Sequence, residues 1–65
     1  MQLNINGQLR NFSEPLTISQ LLQQLELAPE RVVVELNKEI LTAESHSTQL
    51  NDGDALELIQ FVGGG

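Results

Sequence analysis

The sequence contains no cysteine, tryptophan or tyrosine, only two phenylalanines and a single histidine. Its three basic residues stand against nine acidic ones, a net charge of -6. Without cysteine there is no disulfide staple, thiolate metal site or thiol nucleophile, so apolar packing alone must hold the fold. The shortage of cations argues against nucleic-acid binding, which needs basic groups to neutralise phosphates. The longest wholly apolar run, Val32-Val33-Val34, is far too short to span a bilayer. Met1-Gln2-Leu3-Asn4 lacks the charged-then-apolar pattern of a signal peptide. A soluble, cytoplasmic protein is expected. Sixty-five residues form one small domain, too small to enclose a deep substrate pocket, so a module gripped by larger proteins is expected in place of an enzyme.

What is present is rich in Leu, Ile and Val, with 40% of residues apolar. Met1, Leu3 and Ile5 alternate with polar residues, the pattern of a strand with one buried face. Asn6-Gly7 suits a type I′ hairpin turn, which needs positive φ at both central positions. A returning strand is expected over roughly Gln8 to Phe12, broken by Ser13-Glu14-Pro15. Thr17 and Gln20 have the spacing of a capping box, and Leu16 and Leu21 that of a hydrophobic staple. Ile18, Leu21, Leu22 and Leu25 then form one apolar helical stripe, ending near Leu25 to Leu27 ahead of Pro29.

Val32 to Leu36 reads as a strand with Val32, Val34 and Leu36 on one face. Asn37-Lys38 reads as a tight turn into a short strand, Glu39 to Leu41. Thr42 to Gln49 is polar and non-periodic, expected as a surface connection. Leu50 should plug the core, Asn51-Asp52-Gly53-Asp54 should turn, and a last strand should cover Ala55 to Val62. This order implies an α+β fold with one helix on a mixed four- to five-stranded sheet, the β-grasp (ubiquitin-like) arrangement. In that arrangement the first and last strands pair in parallel at the centre.

Few groups could carry chemistry. His46 lies in a polar connection with no nucleophile or carboxylate at helical spacing, and is expected to be a solvated loop histidine. Asp52 and Asp54 are too few ligands for a calcium loop and are explained by the turn. Ser13, Ser19, Ser45 and Ser47 have no activating base, and no glycine-rich loop precedes the helix to cradle a phosphate. The terminus remains, where a strand runs into Gly63-Gly64-Gly65. Residues 1–62 are expected to form the domain and 63–65 a flexible glycine tail. Glycine lacks a Cβ, so Gly63 and Gly64 can thread a narrow channel. Extended, three residues reach roughly 10 Å. The α-carboxylate of Gly65 would be ionised at neutral pH and would need activation before its oxygen could be displaced. A glycine end without function is the plainer reading of the same residues.

Three segments together resemble the ubiquitin-like sulfur carriers of thiamine (thiazole) biosynthesis, the ThiS family. They are Val32-Val33-Val34-Glu35-Leu36-Asn37, Asp52-Gly53-Asp54-Ala55-Leu56-Glu57-Leu58-Ile59 and Phe61-Val62-Gly63-Gly64-Gly65. Length and element order fit along the whole chain. Many members carry an Arg and an aromatic residue in the connection that here spans Thr42 to Gln49, and this chain has neither. The resemblance implies that an E1-like (ThiF-like) adenylating enzyme joins the Gly65 carboxylate to AMP, using ATP and a divalent cation, with no cofactor or metal bound by this chain. A sulfur-donor protein then supplies sulfur for a C-terminal thiocarboxylate, which a thiazole synthase (ThiG-like) consumes. No nucleic acid or membrane takes part.

The last strand adds one expectation. If Leu56 and Leu58 face the helix, Ile59 and Phe61 lie on the other face, joined by Val33 if Val34 points inward. Val33, Ile59 and Phe61 are expected to form an exposed patch for partner docking, with scattered surface apolar residues or self-association as the other readings. The leading function is a sulfur carrier acted on by partner enzymes. The alternatives are a carrier like the small subunit of molybdopterin synthase and a ubiquitin-like modifier conjugated through Gly65. An acyl-carrier protein is disfavoured by the hairpin and the Val-rich strands.

Overall fold

The computed structural model describes residues 1–61. Val62, Gly63, Gly64 and Gly65 lie outside the described residues, and with them the expected end of the last strand and the glycine tail. The elements are β1 (Gln2–Ile5), β2 (Gln8–Asn11), α1 (Ile18–Gln24), β3 (Val32–Leu36), β4 (Glu39–Leu41) and β5 (Ala55–Gln60). The five strands form one mixed sheet in the order β2-β1-β5-β3-β4. β5 is central, parallel to β1 and antiparallel to β3. This is the β-grasp arrangement that the element order implies.

Both hairpins turn on asparagine. Asn6 and Gly7 sit at φ 52° and 82°, and Asn37 and Lys38 at 49° and 74°. Positive φ at both central residues matches the right-handed twist of the flanking strands. Each asparagine also bonds to the central strand. Asn6 Oδ1 accepts from the Leu58 N–H at 2.8 Å, and Asn6 Nδ2 donates to the Leu58 carbonyl at 3.3 Å. From the other side, Asn37 Oδ1 accepts from the Ala55 N–H at 3.0 Å. Asn37 Nδ2 donates to Asp54 Oδ1, also at 3.0 Å. The registers of β1 and β3 against β5 are thus pinned by side chains as well as by the ladder.

The helix begins as its sequence implies. Thr17 Oγ1 accepts from the Gln20 N–H while Gln20 Oε1 accepts from the Thr17 N–H, a complete capping box. Ile18, Leu21 and Leu22 are fully buried and Leu25 half-buried, so the apolar stripe faces the sheet. The helix ends close to where expected, with Leu25 as its C-cap, but for another reason. Pro29 does not stop the helix, which has already turned at Glu26, a non-glycine residue at φ 59°. The Leu27 N–H donates to the Leu22 carbonyl and the Glu26 N–H to the Gln23 carbonyl. Those two bonds are a Schellman closure, in which glycine usually supplies the left-handed residue. Pro29 instead opens a 3-10 turn, Pro29–Arg31, that feeds β3.

The connection Thr42 to Gln49 lies mostly at the surface, as expected, but His46 within it is buried and not the solvated loop histidine expected, following a 3-10 turn, Ala43–Ser45. The physical reason is the start of α1, whose first N–H groups have no intrahelical partner. The Ile18 N–H donates to the Thr48 carbonyl and the Ser19 N–H to the His46 carbonyl, while Gln20 is served by Thr17. The Leu50 N–H and Gln49 Nε2 both donate to the Leu16 carbonyl. Residues 46–50 therefore dock on the segment Leu16–Ser19, and His46 is carried out of solvent with them. Leu50, 2% exposed, joins Leu3, Val34 and Leu56 in the core between helix and sheet.

Candidate functional site

The described chain ends on the central strand of the sheet. β5 is hydrogen-bonded on both edges, and buried Leu56 and Leu58 fix its inner face under the helix. Phe61 lies just past β5, yet its N–H still donates to the Arg31 carbonyl at 2.8 Å. The backbone is therefore held up to the last described residue. The three site glycines Gly63, Gly64 and Gly65 lie outside the described residues.

The pleat puts Ala55, Glu57 and Ile59 on the outer face of β5, away from the helix. Ile59 is paired directly with Val33 of β3. Ile59 is 53% exposed, Phe61 is 55% exposed and Val33 is half-buried. Val33 and Ile59 are thus brought to one surface, and the exposed Phe61 follows two residues beyond Ile59, just past β5. One residue was missing from that expectation. Ile40, 70% exposed, pairs with Glu35 and so shares the outer face with Val33. The signal for Ile40 is the register across Asn37-Lys38, since a three-residue strand has too little alternation to reveal its face.

The remaining candidates gather no chemistry. Asp54 Oδ2 accepts from the Asn51 N–H and Asp52 Oδ1 from the Gln2 N–H, so both carboxylates serve the turn. Among the described residues no group of three His, Cys, Asp or Glu side chains could hold a metal ion. No helix there is long and apolar enough to cross a membrane. A hollow of about 360 Å³ beside Met1, Pro15 and Leu50 lies where β5 begins, at the far end of that strand from Gln60. His46 is buried, without a partner for catalysis in its sequence neighbourhood.

A mixed sheet with a central C-terminal strand, one packed helix and an apolar outer surface beside the strand's end defines a ubiquitin-like β-grasp protein. Comparison with known proteins narrows the class. The ThiS family profile matches residues 3–65, and the chain belongs to that family. It is 46% identical, over 50 residues and 75% of its length, to the sulfur carrier protein ThiS of Bacillus subtilis, covering 76% of that protein. It is also 46% identical over 66 residues to a thiazole synthase of Paramagnetospirillum magneticum. There the match takes in all of this chain but spans only 20% of the relative. The crystal structure of the thiamine biosynthesis protein ThiS from Geobacter metallireducens superposes with a TM-score of 0.84 at 42% identity, covering both chains completely.

Proposed function

We propose that this chain is a sulfur carrier of thiamine biosynthesis, acting in the cytoplasm, with Gly65 as the reacting residue and partner enzymes supplying all catalysis. The observation that carries the reading is the identity with the Bacillus carrier, joined to a sequence that reaches Gly63-Gly64-Gly65 two residues after the central strand. The Gly65 carboxylate attacks the α-phosphate of ATP on an adenylating enzyme, with a divalent cation, giving the acyl adenylate and releasing pyrophosphate. A persulfide on a donor protein attacks the acyl carbon and expels AMP. Cleavage of the resulting acyl disulfide by a thiol leaves the thiocarboxylate. Ionised carboxylate is a poor electrophile, which is why activation comes first.

Gly63 and Gly64 are the arm, since only glycine lets a backbone pass a constricted site without side-chain clash. Val33, Ile59 and Phe61 are the docking patch, apolar residues near the end of the central strand that orient the chain on a partner. The acceptor we favour is a thiazole synthase, because the relative from Paramagnetospirillum bears that name and contains a region matching this whole chain. Tethering a carrier to its acceptor would raise its effective concentration there.

Complementation tests the reading. A bacterial strain lacking its thiamine-pathway carrier should regain growth without added thiazole when it receives this chain, and not when the chain lacks Gly64 and Gly65. Failure of the full chain, with rescue instead of a strain lacking the molybdopterin synthase small subunit, would assign it to that related pathway. Phe61→Ser should weaken charging by the adenylating enzyme, and unchanged charging would remove the docking role of the patch.

A further inference from the structure

Both hairpin turns are built on asparagine, but of the asparagines in this chain only Asn6 precedes a glycine. An asparagine amide in that position is prone to attack by the next backbone nitrogen, because glycine has no side chain to obstruct that nitrogen. The fold holds this reaction off. Asn6 Oδ1 accepts from the Leu58 N–H at 2.8 Å, and Nδ2 donates to the Leu58 carbonyl at 3.3 Å. Both polar atoms of the amide are thus turned to β5. Ring closure needs Asn6 Cγ to pivot onto the Gly7 nitrogen, so both bonds must break first. Water already reaches the turn, since Asn6 and Gly7 are exposed and nothing lies within 4 Å of where a Gly7 Cβ would stand. Two other places in the fold are built differently. Asn37 is clipped in the same manner, to the Ala55 N–H and Asp54 Oδ1, but Lys38 follows it. At Asp52-Gly53 both reacting groups are held, for Asp52 Oδ1 accepts from the Gln2 N–H and the Gly53 N–H donates to the Gln2 carbonyl.

We propose that Asn6 is a deamidation site gated by its own clip to Leu58, so that opening of the clip exposes the chain to an irreversible change. The Gly7 nitrogen bonds to Asn6 Cγ and the Cγ–Nδ2 bond breaks. Ammonia leaves with the proton from the Gly7 nitrogen, and a five-membered succinimide is closed. Water then opens the ring. Attack at Cγ restores the main chain and leaves an aspartate at position 6. Attack at the other ring carbonyl, the main-chain carbon of residue 6, leaves an isoaspartate whose main chain runs through the former side chain. Either route consumes one water and releases one ammonia, with no oxidant, reductant or cofactor. Neither product rebuilds the clip. Aspartate sets an anionic oxygen against the Leu58 carbonyl, where Nδ2 had donated. Isoaspartate adds a main-chain carbon to a two-residue turn whose flanks, Ile5 and Gln8, are direct register partners. Because the clip ties the hairpin to the central strand, a deamidated molecule loses that tie for good. The hairpin forms one side of the sheet, so the clip opens locally while the helix stays in place.

This gate is independent of the carrier reading and needs no partner. The full chain is incubated in neutral buffer, with and without unfolding concentrations of guanidinium chloride. Intact mass follows the gain as an amide becomes an acid, and peptide mapping locates it and separates aspartate from isoaspartate. Deamidation should be confined to Asn6 and run at least about tenfold more slowly in the folded chain, because both bonds of the clip must break. Equal rates in the two conditions, or a faster rate in the folded chain, would overturn the protection. Earlier reaction at Asn37 would overturn the choice of site. Thr17→Ala, verified as folded by circular dichroism, weakens the helix start without touching the hairpin, and should leave the rate in buffer unchanged within about twofold. A rise of about fivefold, the factor expected if the whole chain must unfold, would overturn the local gate. The deamidated chain, separated by anion exchange, should unfold at lower urea than the unmodified chain, and an equal midpoint would overturn the loss of the tie.

Discussion

Removing the Asn6 side chain should loosen the central strand, β5, beyond which the glycines follow in the sequence. Asn6→Gly deletes the 2.8 Å bond from the Leu58 N–H and the 3.3 Å bond to the Leu58 carbonyl. It keeps the backbone at φ 52°, a value glycine adopts without strain, and it keeps the bond from the Asn6 N–H to the Leu56 carbonyl. A net hydrogen bond contributes about 1 kcal/mol, and the longer one less, so the loss should be about 1.5 kcal/mol. Glycine's extra unfolded-state entropy and its easier positive φ act in opposite directions and roughly offset. For a chain this small the urea slope is about 1 kcal/mol/M, so the midpoint should fall by about 1.5 M. Urea unfolding followed by far-UV circular dichroism measures it. Asn6→Asp supplies the companion test, for it keeps the acceptor for the Leu58 N–H but sets an anionic oxygen toward the Leu58 carbonyl. It should be at least as destabilising as glycine at neutral pH. A midpoint shift below about 0.3 M for both variants would refute the view that Asn6 clips β1 to β5.

Three further perturbations follow from the same geometry. Glu26→Gly should raise stability by about 0.5–1 kcal/mol, because the Schellman residue at φ 59° carries a Cβ penalty that glycine lacks; an unchanged thermal midpoint would contradict this. Thr17→Ala removes the acceptor for the Gln20 N–H and should cost about 1 kcal/mol in chemical denaturation, with Thr17→Ser restoring most of it. Leu50→Ala should cost about 2–5 kcal/mol, enough to leave much of the chain unfolded, and a loss under about 1 kcal/mol would show that residues 46–50 are not a structural plug.

The sequence was most informative where local chemistry has one structural answer. Asn6-Gly7 at a turn, the Thr17–Gln20 box and the alternation at Val32–Leu36 each point to a single conformation, and neighbouring signals agree. The helix end was less legible because its left-handed residue is Glu26, and no composition rule flags a glutamate there. The role of residues 46–50 was hidden for another reason. Their contacts with the helix start run through backbone groups, which leave no periodic trace in side-chain pattern. The outer face was legible along β5, where six residues alternate, and not at β4, where Ile40 is placed only by its pairing with Glu35.

The central claim is that the Gly65 carboxylate is exchanged for a thiocarboxylate, and intact-mass spectrometry reads this directly. The chain is incubated with an adenylating enzyme, ATP, magnesium, a persulfide donor protein and a thiol reductant. The account predicts a mass gain equal to one sulfur replacing one oxygen, dependent on ATP and lost when Gly65 is deleted. Isopeptide-linked adducts in place of that gain would point to a protein modifier. An unchanged mass with enzymes that charge a known ThiS carrier, or a gain that survives deletion of Gly65, would contradict the account.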